Sequence, residues 1–307
     1  MKLQPQPTVH DSPISARAAR RAYLLMLISA WSFACMTACA RQAGRDLGDW
    51  RLTAVARGGV VLLFALAIAK LRGVRLVWLG PGTLWVRSIT GSISMLLTFF
   101  ALTHHENIST AVTLTNTFPL WVTILAWPVL RERPTAAAGM ALVSGIVGVG
   151  LIERPDLGAF RATTGAALGA AFCTAVVMLG LHRLKNINAL AIVVHFSAVA
   201  TFVCAGYLIV TALNGKPVNF GPLSEPLNIA LLAGIGLFAT TGKIMMTIAF
   251  QTGAPQRVSV VGLMQLVFAL GFDYLLWHHR VGGLALLGIA LVIAPVGWLL
   301  LKHGPGE

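Results

Sequence analysis

The residue best placed to do chemistry in this sequence is Lys243, which lies well inside an apolar segment of spanning length, about two helical turns from its end. Three readings are open for an ammonium group there. It could face a polar cavity as a fixed positive charge for a carboxylate or phosphate. It could snorkel to the membrane interface. It could also pair with an acid inside the membrane, although Asp273 is too far along the helix axis to suit that role.

Polar residues recur around Lys243 at helical spacing. Gly236, Thr240, Lys243 and Thr247 share one face, as do Arg87, Gly91, Ser94 and Thr98 in an earlier segment. Thr113, Asn116, Thr117 and Leu120 form a third stripe, answered by Gly262, Gln265, Ala269 and Asp273. Polar groups within spans are costly unless they face a cavity or a partner, so four such faces suggest a shared central cavity. Small and hydroxylated residues at this spacing also serve helix packing, which leaves the stripes divided between the two roles. Asn116 and Gln265, near mid-span, favour a pathway. Trp31 and Trp121 would supply aromatic walls for a planar substrate, whereas Trp50, Trp78 and Trp85 suit interfacial belts.

Other ionisable residues have structural readings beside functional ones. Asp273 suits an interfacial residue paired with Arg280 or His279, or the titrating group of a proton-coupled cycle. His195 suits a helix-packing histidine or a proton relay. Arg57 and Arg87, about one turn inside their spans, are expected to snorkel or to clamp the bundle ends by bonding loop carbonyls. His104-His105-Glu106 lacks metal-ligand spacing. Cys35, Cys39, Cys173 and Cys204 all sit in apolar segments without a C-x-x-C pair, so neither zinc nor a disulfide framework is expected. No nucleophile–base pair, phosphate loop, G-x-S-x-G or H-E-x-x-H occurs. Catalytic machinery, cofactor and ATP-driven pumping are therefore not expected.

The elements that must position these residues are membrane helices. Apolar residues are 57% of the 307-residue chain, charged residues 11%, and mean hydropathy is +0.79. A soluble domain carries about 25% charged residues. So few charges cannot cover a water-exposed surface, and most of the chain must face lipid. The net charge of +13 comes from Lys and Arg scattered through short loops, which fits topology determinants and not a nucleic-acid patch. Ten spans are expected, near 22–40, 52–69, 82–103, 108–130, 135–152, 164–182, 189–213, 227–250, 256–277 and 281–301. Residues 1–21 read as a polar cytoplasmic tail and not a cleaved signal.

At a shift of 149 residues, GMALVSGIVGVGLI (Gly139–Ile152) falls on GIALVIAPVGWLLL (Gly288–Leu301) with seven of fourteen positions identical. The chain is therefore expected to hold two related units, 22–155 and 156–303, of five spans each. With the N-terminus inside, thirteen of the 23 Lys and Arg fall in inner segments and seven in outer ones, with Arg57, Arg87 and Lys243 inside spans. An odd number of spans per unit then gives the second unit the opposite orientation. Inverted repeats of this kind are a recurrent basis for alternating access, with the substrate held near the midplane between them. The shift also pairs Ser94 with Lys243, Thr98 with Thr247 and Asn116 with Gln265.

These features resemble the drug/metabolite transporter superfamily, and within it the EamA type with ten spans in two repeats. The resemblance rests on Trp31 in the first span, Arg57 in the second, Ala101-Leu102 ending the third and Pro119 in the fourth. Leu130-Arg131-Glu132-Arg133 and the glycine-bearing fifth span follow. The second half departs from the pattern, with Phe268 and Val281 where the first has Pro119 and Glu132. The resemblance implies an all-α membrane protein handling amino acids, their derivatives, nucleoside-like cofactors or related metabolites, often in the export direction.

The expected function is a secondary transporter of the bacterial inner membrane, with both termini cytoplasmic, moving a small polar or amphipathic metabolite. One cation and few acids in the spans lean towards a zwitterionic or anionic solute. The expected partners are that solute and the bilayer, with a homodimer left open. A non-transporting scaffold or an intramembrane enzyme is the alternative.

Overall fold

The computed structural model describes residues 16–104, 108–130, 136–153, 162–215, 218–277 and 282–302, and among them no strand occurs. The first half contains α1 (Ala16–Leu47), α2 (Trp50–Leu71), α3 (Gly82–His104), α4 (Ile108–Thr115), α5 (Phe118–Leu130) and α6 (Ala136–Glu153). The second contains α7 (Ala162–Arg183), α8 (Ala189–Leu213), α9 (Pro226–Thr252), α10 (Pro255–Gly262), α11 (Met264–Trp277) and α12 (Gly283–Lys302).

Among the described residues, eight helical segments are long and apolar enough to cross a bilayer, including Ala111–Val129 and Pro255–Phe272, each of which runs through a break. Two shorter apolar helices, Gly139–Leu151 and Gly283–Val296, accompany them. The chain is an integral, multi-pass membrane protein. In lipid the backbone groups must be satisfied within each segment, which is why apolar runs of this length fold as helices. Local signals set their ends. Asp49 caps α2 by accepting from the Arg51 backbone N–H at 2.8 Å, and Asn188 caps α8 by accepting from Leu190 N–H at 2.9 Å. Pro226 and Pro255 open α9 and α10, where a missing N–H costs nothing.

The sequence suggested one continuous span over 108–130, yet α4 and α5 are separated at Asn116-Thr117. Pro119 cannot donate to the preceding turn. Asn116 Nδ2 donates to Val112 O at 2.8 Å, and Thr117 Oγ1 to Leu114 O at 2.6 Å. Val112 O and Leu114 O also accept from the backbone N–H groups of Asn116 and Thr117, at 3.0 and 3.2 Å, so these side chains add second bonds to the last turn of α4 at the break. A matching break separates α10 from α11 at Leu263, whose N–H bonds Val260 O at 3.1 Å in a tight turn.

The broadest helix contacts join the two halves: α1 on α9, α3 on α7, α2 on α8 and α6 on α12. The last pair brings the duplicated stretch against its own copy. A Cβ added at Gly148 would lie 2.7 Å from Gly288 O, so the bare α-carbon is what lets these backbones meet. Ser144 Oγ donates across the same contact to Leu291 O at 2.8 Å. The main apolar core, which includes Tyr23, Met26, Leu181, Ile192, Phe250 and Leu263, draws on α1, α3 and α5 through α12.

Candidate functional site

The neutral polar stripes find their partners inside the protein. Ser94 bonds Ala170 O at 2.9 Å and Thr174 Oγ1 at 2.8 Å, tying α3 to α7. Ser29 Oγ donates to Gly242 O at 2.8 Å between α1 and α9, and Thr240 Oγ1 reaches Val61 O of α2 at 3.5 Å. Thr98 and Thr247 donate to the carbonyls of Ser94 and Lys243 in their own helices. Thr113 is buried in α4, and Gln265 is half-buried directly after the second break.

The cations are arranged differently. Arg87 of α3 is 2% exposed, and its Nε and Nη1 have no hydrogen-bond partner. Its guanidinium carbon stands 4.5 Å from the centre of the Phe196 ring on α8. Lys243 of α9 is 7% exposed, with Nζ 4.0 Å from the same centre and no hydrogen-bond acceptor among the described residues. Arg57 of α2 lies 5.8 Å from the Phe99 ring with its Nε buried and unpartnered. Both arginines are close enough to Lys243 to act on it electrostatically, as is Cys204 of α8. The site is the junction where α8 meets α2, α3 and α9, all of which contact it.

Phe196 reaches this junction because Gly91 makes room on α3. A Cβ on Gly91 would meet Phe196 Cε2 at 2.7 Å. Next to Phe196, His195 is 2% exposed, pairs through Nδ1 with Ser88 Oγ at 2.8 Å, and meets the Trp85 ring edge-on at 4.7 Å. Its Nε2 is buried without a partner.

The four helices of this junction, α2, α3, α8 and α9, contain neither Asp nor Glu. Burying one charge costs several kcal/mol even after relaxation, whereas a cation–π contact returns about 0.5–2 kcal/mol. The ring contacts cannot close that gap. An anion placed among the three cations would.

The expected arginine roles, snorkelling or bonding loop carbonyls, are not the geometry seen for Arg87, whose side chain is enclosed in the bundle. Trp31 is 49% exposed and packs against Phe268 and Phe272 of α11 at 5.3 and 5.2 Å, while Trp121 of α5 packs edge-on against Phe172 of α7 at 5.6 Å. Neither lies with the cation cluster. Pro119 stands at the start of α5, where its carbonyl accepts from Thr123 Oγ1 at 2.9 Å. Glu132, His105 and Glu106 fall outside the described residues, as does the side chain of Asp273. Among the described residues no cluster of metal-binding side chains occurs.

Two recesses open elsewhere. One is an apolar groove along α6, between Ala136 and Val147, with Leu291 of α12. The other, about 530 Å³, is polar and lies where α2 ends and α8 begins, lined by Arg72, Lys185, Asn186, Asn188, Ile244 and Gln251 among others.

Comparison with known proteins supplies the identity. The EamA-like transporter family matches twice, over residues 20–154 and 163–301. The chain is 23% identical over 287 residues to the pseudopaline exporter CntI of Pseudomonas aeruginosa, covering 92% of this chain and 96% of that protein. It is 26% identical over 241 residues to human solute carrier family 35 member G1, covering 71% of this chain and 62% of the other. A crystal structure at 17% identity superposes with a TM-score of 0.76 over 94% of this chain and 98% of that one, which shows the shared fold. Two matches in tandem over nearly the whole helical region place this chain in the EamA-like transporter family of the drug/metabolite transporter superfamily, a family of transporters and not of enzymes.

Proposed function

We propose that this protein is a secondary active transporter that moves a small polar or amphipathic metabolite, anionic or zwitterionic, across the bacterial inner membrane by alternating access. The observation that carries this reading is the exchange of helix contacts under the 149-residue shift. The shift takes α1 onto α7 and α9 back onto α3, so the α1–α9 contact becomes the α3–α7 contact. It likewise pairs α2 with α8 and α6 with α12, each packed on its own copy. This pattern suits two equivalent units, 22–155 and 156–303, related by a two-fold axis, with α4–α5 and α10–α11 each counted as one broken span. Five spans per unit then invert the second unit relative to the first, with both termini and the 1–21 tail in the cytoplasm. Two such units rocking about a shared site would expose it to each side in turn.

Export is the favoured direction, supported by the exporter among the relatives. Proteoliposome counterflow tests the reading. Preloaded unlabelled solute should drive uptake of the labelled form without chemical change. Absence of counterflow across a panel of organic acids and amino acids would sink it. Labelling of introduced cysteines tests the topology, since both chain ends should react from the cytoplasmic side only.

A further inference from the structure

The buried cations say more about the cargo than its sign. Arg87 and Lys243 approach one phenyl ring, at 4.5 and 4.0 Å from its centre, so their charges stand within a small molecule's reach of each other. Arg57 adds a third charge from α2. Measured along the helices from the end that carries the polar recess, Arg87 lies ~8 Å deep, Lys243 ~14 Å and Arg57 ~21 Å. That recess carries Arg72 and Lys185 at its rim. An apolar layer of Ala65, Ala69, Leu190, Val193 and Val194, joined by Ile244, lies at the same end.

One carboxylate cannot neutralise three cations spread over such a depth. A single negative charge would leave Arg87 or Lys243 uncompensated in a medium where each costs several kcal/mol, with Arg57 half-buried beside them. We propose that Arg57, Arg87 and Lys243 form one binding site for a small solute carrying at least two negative charges, as paired carboxylates or a phosphate ester, seated beside Phe196. The Arg87 fork suits a planar carboxylate or phosphate face, and Lys243 acts as a point charge on the second group. The inference rests on the transporter reading only in treating this solute as cargo.

The test is thermal unfolding of the full-length protein in an uncharged detergent at constant ionic strength. The probes are citrate, succinate and inorganic phosphate, with alanine and choline for comparison and phosphatidylglycerol as the lipid arm. Citrate or phosphate should raise the midpoint saturably, while alanine and choline leave it unmoved. Lys243→Met and Arg87→Met should weaken the citrate response roughly thirtyfold or more, the scale for removing one partner of a buried charge pair. Lys243→Arg should retain most of it. A merely structural cation would lower the unliganded midpoint on replacement. An uncompensated one should leave it unchanged or raised, because methionine removes a buried charge.

A midpoint indifferent to every soluble anion overturns the proposal, as does a citrate response that survives both methionine variants. A response to phosphatidylglycerol alone overturns it too, by assigning the cluster to lipid headgroups. Binding without flux in proteoliposomes would keep this site and remove the transporter reading. Flux that ignores multivalent anions would do the reverse.

Discussion

Position 94 in α3 and its counterpart 243 in α9 sit in helices that each pack across to the other half, yet their surroundings differ. Ser94 spends its hydroxyl on α7, bonding both a carbonyl and Thr174. The Lys243 ammonium has no hydrogen-bond partner among the described residues and faces Phe196 with two arginines nearby. The neutral site is closed by the protein itself. The charged one has no such partner among the described residues. A duplicated fold starts with two equal positions, so function is best sought where the copies have diverged into an unsatisfied charge. On the proposed reading, Ser94 ties α3 to α7, and Lys243 stands where a bound anion would alter the energy of one arrangement over another.

The largest effect that would sharpen this contrast is on transport. Lys243→Ala should raise the half-saturation concentration for a dicarboxylate by an amount equivalent to about 2–5 kcal/mol. The thermal midpoint of the empty protein should not fall, because the lost charge had no partner. Unaltered transport would return Lys243 to the snorkelling role and break the comparison at its charged end.

Next in size is a change at the contact of the duplicated stretches. Gly148→Val sets a branched side chain where even a Cβ would be 2.7 Å from Gly288 O. The backbone must move, so the variant should lose about 1–3 kcal/mol of stability, the scale for overpacking. Detergent unfolding checks this. A neutral result would mean that α6 and α12 separate at little cost.

Ser94→Ala addresses the satisfied side. Interhelical hydrogen bonds in membrane proteins average about 0.6 kcal/mol, so the loss should be near that value. Transport affinity should stay the same, measured beside Lys243→Ala in the same vesicles. Equal losses of affinity in the two variants would erase the distinction between the copies.

How much of this was legible beforehand follows from what each residue type signals. The spans announce themselves as runs of apolar residues, and the copy of Gly139–Ile152 betrayed the duplication. The breaks within α4–α5 and α10–α11 were not anticipated. Asn116 and Thr117 suit a pathway lining or helix packing, and each donates to a carbonyl of α4. Lys243 stood out because a charge in an apolar run is conspicuous. Phe196 did not, since a phenylalanine among Val, Ile and Ala gives no sign of which neighbour it meets. Arg57 and Arg87 were visible one by one. Their convergence depends on how α2, α3 and α9 lean on α8, which pattern reading within a segment cannot supply. A useful signal was nonetheless present: no Asp or Glu occurs in the segments that carry these three cations.

A further predicted effect contrasts the buried cations with one that has its acid. Arg51, at the start of α2, forms a close pair with Asp49, its Nη2 2.6 Å from Oδ2, and Arg51 Nη1 reaches Thr211 Oγ1 of α8 at 2.9 Å. Partial burial pushes the Asp49 carboxyl up, but bonds from the Arg51 side chain and backbone outweigh it and hold the group below its ordinary range. A carboxylate lowered in the folded state contributes stability above its unfolded pKa, near 3.9, and loses that contribution as pH falls through the folded value. Asp49→Asn keeps the helix cap and removes only the charge, so the cost at pH 7 should be at most about 1 kcal/mol, as for ion pairs near a surface. The difference in unfolding free energy between wild type and variant should be flat from pH 7 to about 5 and shrink below about 4. A difference that persisted undiminished at pH 3 would show that the cap geometry, and not the charge pair, ties α2 to α8. The paired and unpaired cations would then no longer be separable by their acid response.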